Sequence, residues 1–204
     1  MARDASVIIR APMRMPFGYI ESFVSKKRSW IDEKQAVARE RLKHAVPKKF
    51  VDGEGFLYLG QTHSLAIVDD ADTPLSFDRS FRLSRFFASD ARRLFIDWYR
   101  REAHARIRER LDRHSALANL SYTGFKLTNA QRCWGSCTAK GSLNFSWRLI
   151  MAPPDVIDYV VVHEISHLAE KNHSRRFWNT VSGLFPGYEK HREWLKDNGH
   201  LLTI

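Results

Sequence analysis

The sequence predicts an α+β fold, and three observations predict it. Period-two apolar alternation appears in two separate blocks, over 50–86 and 125–150. Between them, over 88–117, apolar residues recur three and four positions apart. After the second block comes an apolar helical run, Val156–Ala169, opened by Pro153-Pro154, with two shorter helical stretches behind it. Strand blocks separated and followed by helices, without regular β-α-β alternation, are the pattern of an α+β chain.

Taken in order, Val7–Ile9 is a short strand candidate, and the stretch A-P-M-R-M-P-F-G behind it is broken by proline. Residues 20–45 read as helical, with Ile20, Phe23, Val24, Trp30, Ile31, Val37 and Leu42 among charges. The segment F-V-D-G-E-G-F-L-Y-L-G-Q-T-H-S-L-A-I-V reads as a hairpin, and F-R-L at 81–83 continues the strand pattern. In the 88–117 helix Ala91, Leu94, Phe95, Trp98, Ile107 and Leu111 form the apolar face, and arginines fill a solvated one. Phe125–Leu127, Gln131–Thr138 and Ser142–Ile150 alternate around an A-K-G turn. After His173, helices are expected over 174–185 and 188–198, split by F-P-G, with Phe177, Trp178 and Trp194 in the core. The organisation expected is a β-rich section with an early helix over 1–87 and a catalytic section over 88–204, in one compact unit.

Composition narrows the class. A chain of 204 residues with 44% hydrophobic and 27% charged residues is an ordinary soluble globular protein, and no run reaches the ~20 apolar residues of a membrane span. The N-terminus has no secretory pattern, and two cysteines, Cys133 and Cys137, make no disulfide framework, so a reduced cytoplasmic setting is expected. The formal charge of +10 is concentrated in 1–50 (+7) and 81–118 (+5), which favours non-specific association with polyanions such as DNA. Nothing in the pattern specifies an oligomeric state.

The chemistry concentrates in V-V-V-H-E-I-S-H-L-A-E-K-N-H. His163 and His167, four apart, share one face of a helix and can bind one ion. Glu164 stands beside the first of them, where its carboxylate can hold a water without coordinating. Neutral imidazole suits zinc, and an open fourth position lets the metal activate water at neutral pH, with Glu164 as general base. His173 is the favoured third ligand, six residues after His167 on a segment leaving the helix. The turn can be made by Asn172, which tolerates the left-handed region. Glu170 competes as third ligand, but on a continuing helix it lies on a different face. A chance H-E-x-x-H in a chain of this composition has a probability of roughly 0.02, and burying those side chains without a metal or partner is costly.

Other features carry less. The Cys133–Cys137 spacing is C-x-x-x-C, with no second pair, and does not match a structural zinc site. Glycines 53, 55 and 60 fail the dinucleotide pattern and read as turns. His44, His63, His104, His114 and His200 are isolated and read as surface or capping residues. Tyr188 and His191 are the nearest polar candidates for stabilising an oxyanion.

The run R-C-W-G-S-C-T-A-K-G-S-L-N-F-S-W-R-L-I, followed by P-x-x-V-I-D-Y-V-V-V-H-E-I-S-H-L-x-E-x-N-H-S-x-x-F-W, resembles the YgjP-like metallopeptidases, small zincins related to SprT-type and WLM-type proteases. Trp30–Lys34, D-G-E-x-F-x-Y-L-G at 52–60 and W-L-K at 194–196 extend the resemblance over most of the chain. It implies a zincin-like core, with the active-site helix packed on a small, mostly antiparallel sheet. It also implies one zinc ion on His163, His167 and His173, Glu164 as catalytic base, and a protein or peptide substrate. The W-G-S-C stretch, Trp134–Cys137, is then expected on a strand near that helix. This makes Trp134, Gly135, Ser136 and Asn144 substrate-binding candidates beside Tyr188 and His191. Cys133 departs from the residue expected before the tryptophan. Kinship with proteases that digest DNA–protein crosslinks adds weight to a DNA-linked role. Two rivals stand beside the peptidase: a nucleic-acid-binding module with zinc in a supporting role, and a zinc hydrolase of a non-peptide amide or ester. The first leaves Glu164 without a use, since structural zinc takes four protein ligands.

Overall fold

The structure, a computed structural model, describes residues 6–44, 47–69, 72–131 and 133–204, with the side chains of 41–44 outside that description. The chain divides into two units, Met1–Pro47 and Lys48–Ile204. In the first, helices α1 (Phe17–Lys26) and α2 (Arg28–His44) replace the single helix expected over 20–45; the break falls at Lys27. The strand expected at Val7–Ile9 is not formed: these residues are exposed and without a ladder partner among the described residues, and an isolated strand has nothing to satisfy its backbone.

The second unit begins with four strands, β1 (Gly55–Tyr58), β2 (Gln61–Val68), β3 (Leu75–Asp78) and β4 (Ser80–Ser84), in the order β1-β2-β4-β3. The β1–β2 hairpin pairs Tyr58 with Gln61 across a two-residue turn in which Leu59 (φ 48°) and Gly60 (φ 81°) are both left-handed, the geometry that matches strand twist. Helix α3 (Ala91–Ala118) crosses this sheet. Phe56 stacks on Phe95 at 4.2 Å, Phe81 meets Trp98 edge-on at 4.9 Å, and the Tyr99 hydroxyl donates to the Leu57 carbonyl at 2.7 Å. This shared aromatic core is why the β-rich block belongs with the later helices. The division into compact units falls at 47/48.

A second sheet of β5 (Gly124–Thr128), β6 (Gly135–Cys137) and β7 (Ser142–Ser146) has the order β5-β7-β6. It is mixed: β5 runs parallel to β7, and β6 antiparallel. A 3-10 turn over Trp147–Met151 leads to α4 (Pro154–Ala169), whose first residue is a proline. Nearly all of α4 from Val156 to Ser166 is buried, the mark of a helix enclosed on every side. It packs against α3, β6, α5 (Arg175–Leu184) and α6 (Tyr188–Asn198). The last two helices fall where the sequence places them, α5 capped by Ser174, whose hydroxyl accepts from the Phe177 amide at 3.4 Å. No helix among the described residues is long and apolar enough to cross a membrane.

Two long-range contacts fix α4. The hairpin turn docks on its entry: Leu59 and Gly60 amides donate to the Ile150 and Met151 carbonyls at 2.9 and 3.0 Å. On α3, His114, expected to be a surface residue, is buried, its Nε2 2.7 Å from Asp158 Oδ1. Arg113, still largely exposed, donates to the same oxygen at 2.8 Å, and the shielded Arg110 lies 3.6 Å from it, so part of the arginine face meets α4. Burial alone would raise the Asp158 pKa; the hydrogen bond with His114 and the charges of Arg110 and Arg113 outweigh it and hold the carboxyl below its ordinary range.

Candidate metal centre

His163 and His167 project from one face of α4, and His173 reaches them from the segment between α4 and α5. One ligand atom from each lies within 4.8 Å of the others, and no other such group of His, Cys, Asp or Glu occurs among the described residues. The return of the chain differs from the expected one. Helix α4 stops at Ala169, with Glu170 extended (φ −127°, ψ 108°), and Asn172 has no left-handed backbone. Because the helix does not continue, Glu170 offers its backbone to the site: its carbonyl lies 3.0 Å from His167 Nδ1. An Nδ1–H donating there fixes the ring and leaves Nε2 bare for a cation.

The donor set fits a divalent metal. The His163 and His173 Nε2 atoms approach to 3.0 Å, and two imidazole lone pairs can face each other at that distance only with a proton or cation between them. Burial, then the neighbouring His167 and His173, pushes the His163 pKa down to about 3, keeping the neutral, metal-binding form at neutral pH. Burial also lowers the His173 pKa. Phe177 stacks on His167 at 4.4 Å and Trp178 on His173 at 5.5 Å, so aromatic walls hold two of the rings.

Glu164 is 4% exposed, its Oε2 has no hydrogen-bond partner among the described residues, and burial lifts its pKa to about 8. A buried carboxyl without a partner is an uncompensated polar group unless a cation or a water completes it. The reason it fits is Gly135: a Cβ at that position would lie 2.5 Å from Glu164 Cγ and Oε1. Gly135 thus gives Glu164 its room, a contact across 29 residues of sequence that no local pattern announces.

The YgjP-like metallopeptidase domain model matches residues 1–198. This chain belongs to that family. Within this YgjP-like metallopeptidase, the other expected residues separate. Ser136 and Asn144 face each other across the β6–β7 ladder, the Asn144 side chain donating to Ser136 Oγ at 3.1 Å. Trp134 packs against Gly199 at the C-terminal end. Tyr188 stacks on both Trp178 (5.3 Å) and Tyr159 (6.0 Å), beside the histidines. His191 is buried, its ring 5.3 Å from Phe185. The residue that sequence reading missed is Arg192, one position on, whose guanidinium lies 4.8 Å over the Trp178 ring. Its four-residue spacing from Tyr188 was the available signal. The crystal structure of the metallopeptidase zymogen of Pyrococcus abyssi abylysin is similar over 44% of this chain and 93% of its own, at 18% identity and a TM-score of 0.40. No curated protein matches the chain at a comparable level.

Proposed function

We propose that this protein hydrolyses peptide bonds with one zinc ion held by His163, His167 and His173, and with Glu164 as general base. The observation that carries the reading is the convergence of three imidazoles next to a buried, otherwise unpartnered carboxyl group. Zinc bound there supplies Lewis acidity, polarising the peptide carbonyl and making water acidic enough to lose a proton at neutral pH. Glu164 accepts that proton and returns it to the leaving amine. His167 is oriented by the Glu170 carbonyl, and Phe177 and Trp178 stack on the His167 and His173 rings.

The sheet edge supports an extended polypeptide as substrate. Among the described residues β6 pairs only with β7. The Trp134 carbonyl accepts from the Ser146 amide, and the Thr138 amide donates to the Ser142 carbonyl, both at 2.9 Å. Alternation along an antiparallel ladder therefore turns the backbone groups of Gly135 and Cys137 away from β7, Gly135 beside Glu164 and with its carbonyl accepting from the Cys133 thiol at 2.9 Å. A peptide adding as a strand there brings its carbonyls past the carboxylate. Cys133 and Cys137, both free thiols, favour a reducing compartment such as the cytoplasm.

The test is the Glu164→Gln variant loaded with zinc. It should retain one zinc per chain and cleave an unfolded protein about 10²–10⁴ times more slowly. Wild-type cleavage rates in this variant would overturn the reading.

A further inference from the structure

Arg192 occupies an unusual electrostatic position. It is exposed on α6, one helical turn after Tyr188, with its guanidinium over the Trp178 ring at 4.8 Å. Trp178 in turn lies against His173 (5.5 Å) and His163 (5.8 Å). The guanidinium is thus one aromatic ring removed from two of the three histidines. Among the described residues it has no ion pair or hydrogen bond, although Glu189 precedes it by three positions and Glu193 follows it directly.

A fixed cation beside a site built for a second cation is repulsive, and the aromatic stack holds it there rather than letting it swing to Glu189. Such an arrangement is stabilised when an anion arrives. The planar fork of a guanidinium matches a carboxylate with two parallel hydrogen bonds. The distance matters too. Arg192 stands at the rim, past Trp178, within one or two residues' reach of a carbonyl placed at the histidines.

We propose that Arg192 determines specificity by binding a substrate carboxylate next to the scissile bond. The inference rests on the peptidase reading above. The carboxylate is either an acidic side chain or the chain's own C-terminus, and both present the same chemistry to the guanidinium. Trp178 and Tyr188 serve as the platform that presents it, and the flat aromatic ledge accommodates the aliphatic part of the adjoining residue.

The experiment compares peptides of one sequence that differ only in Glu against Gln against Lys beside the cleavage site, each made with a free or an amidated C-terminus. Cleavage is followed with the zinc-loaded protein, and binding with the zinc-loaded Glu164→Gln variant. A carboxylate peptide should bind and be cleaved about tenfold better than its amide counterpart, mainly through KM. Arg192→Gln should bring that ratio close to one, and Arg192→Glu should invert it in favour of the Lys peptide, a gain that misfolding cannot mimic. Loss of preference on amidation identifies the C-terminus; persistence identifies the side chain. No preference in the wild type, or an equal fall for all peptides in the variants, overturns the proposal. Charge-selective binding without any cleavage would keep Arg192 as a carboxylate-binding residue but overturn the peptidase reading, and with it the placement next to a scissile bond.

Discussion

Gly135 and Glu164 occupy space that only a glycine allows them to share: a Cβ on Gly135 would come within 2.5 Å of the Glu164 carboxylate. The strand at the edge of the sheet and the buried acid of the helix are therefore fitted to each other at a single methyl's resolution.

Gly135→Ala is expected to push Glu164 out of line while sparing the histidines. Displacements of about 1 Å in a catalytic group cost on the order of 10²-fold in rate. Zinc content should stay at the wild-type level while kcat falls by that order, measured on an unfolded protein substrate. A fully active Gly135→Ala protein would show that Glu164 does not need its present place.

The third ligand can be separated from its rival by a pair of variants. His173→Ala should weaken zinc binding by more than about 100-fold, beyond the effect of an outer-shell change. Glu170→Gln should leave affinity near wild type, because residue 170 meets the site through its carbonyl. Competitive chelator titration reads both, and the reverse ranking would reassign the ligand.

Asp158 makes stability depend on acid. Its pKa is depressed in the folded protein, so its stabilising contribution is complete above the unfolded carboxyl value near 4 and is lost as pH falls through the lower folded value. Asp158→Asn should cost about 3 kcal/mol at neutral pH, because it strips a charge from the partly buried set of Arg110, Arg113 and His114. The difference from wild type should shrink toward acid pH in denaturant titrations. A constant difference across pH would mean that the carboxylate charge is not what stabilises the α3–α4 contact.

Gly60 carries both constraints that single out glycine: a left-handed backbone, φ 81°, and Pro153 Cγ and Cα within 2.8 and 2.9 Å of where a Cβ would stand. Gly60→Ala is expected to lower stability by about 2–4 kcal/mol, seen as a fall in the denaturation midpoint at unchanged m-value. The loss arises at the hairpin turn that clasps the start of α4, far along the chain from the histidines.

What could be read from the sequence was what repeats locally. The i, i+4 spacing of His163 and His167, the proline opening of α4 and the F-P-G break each act within a turn or two of helix, and each appears in the structure. What could not be read depends on contacts between distant segments. His114 looked isolated because its partner Asp158 lies 44 positions away. Gly135 entered only as a substrate-binding candidate, because nothing nearby in sequence shows that Glu164 fills its missing side chain. The parallel β5–β7 pairing escaped notice because an alternation pattern carries no direction. Arg192 was passed over for His191, although the two differ by about 100° around the helix, and only the packing of Phe185 shows which one faces inward.

The three histidines are unequally anchored: His163 and His167 stand half-buried on the most enclosed helix, and His173 is exposed on a short connecting segment. For the proposed zinc this asymmetry sets the kinetics of exchange. Two donors are as permanent as the fold itself, while the third is held only by its contacts with Phe177 and Trp178, so an ion can enter or leave when that one ring gives way. Metal turnover and global unfolding are then separate processes with separate rates, and a chelator can empty the protein while α4 stays intact.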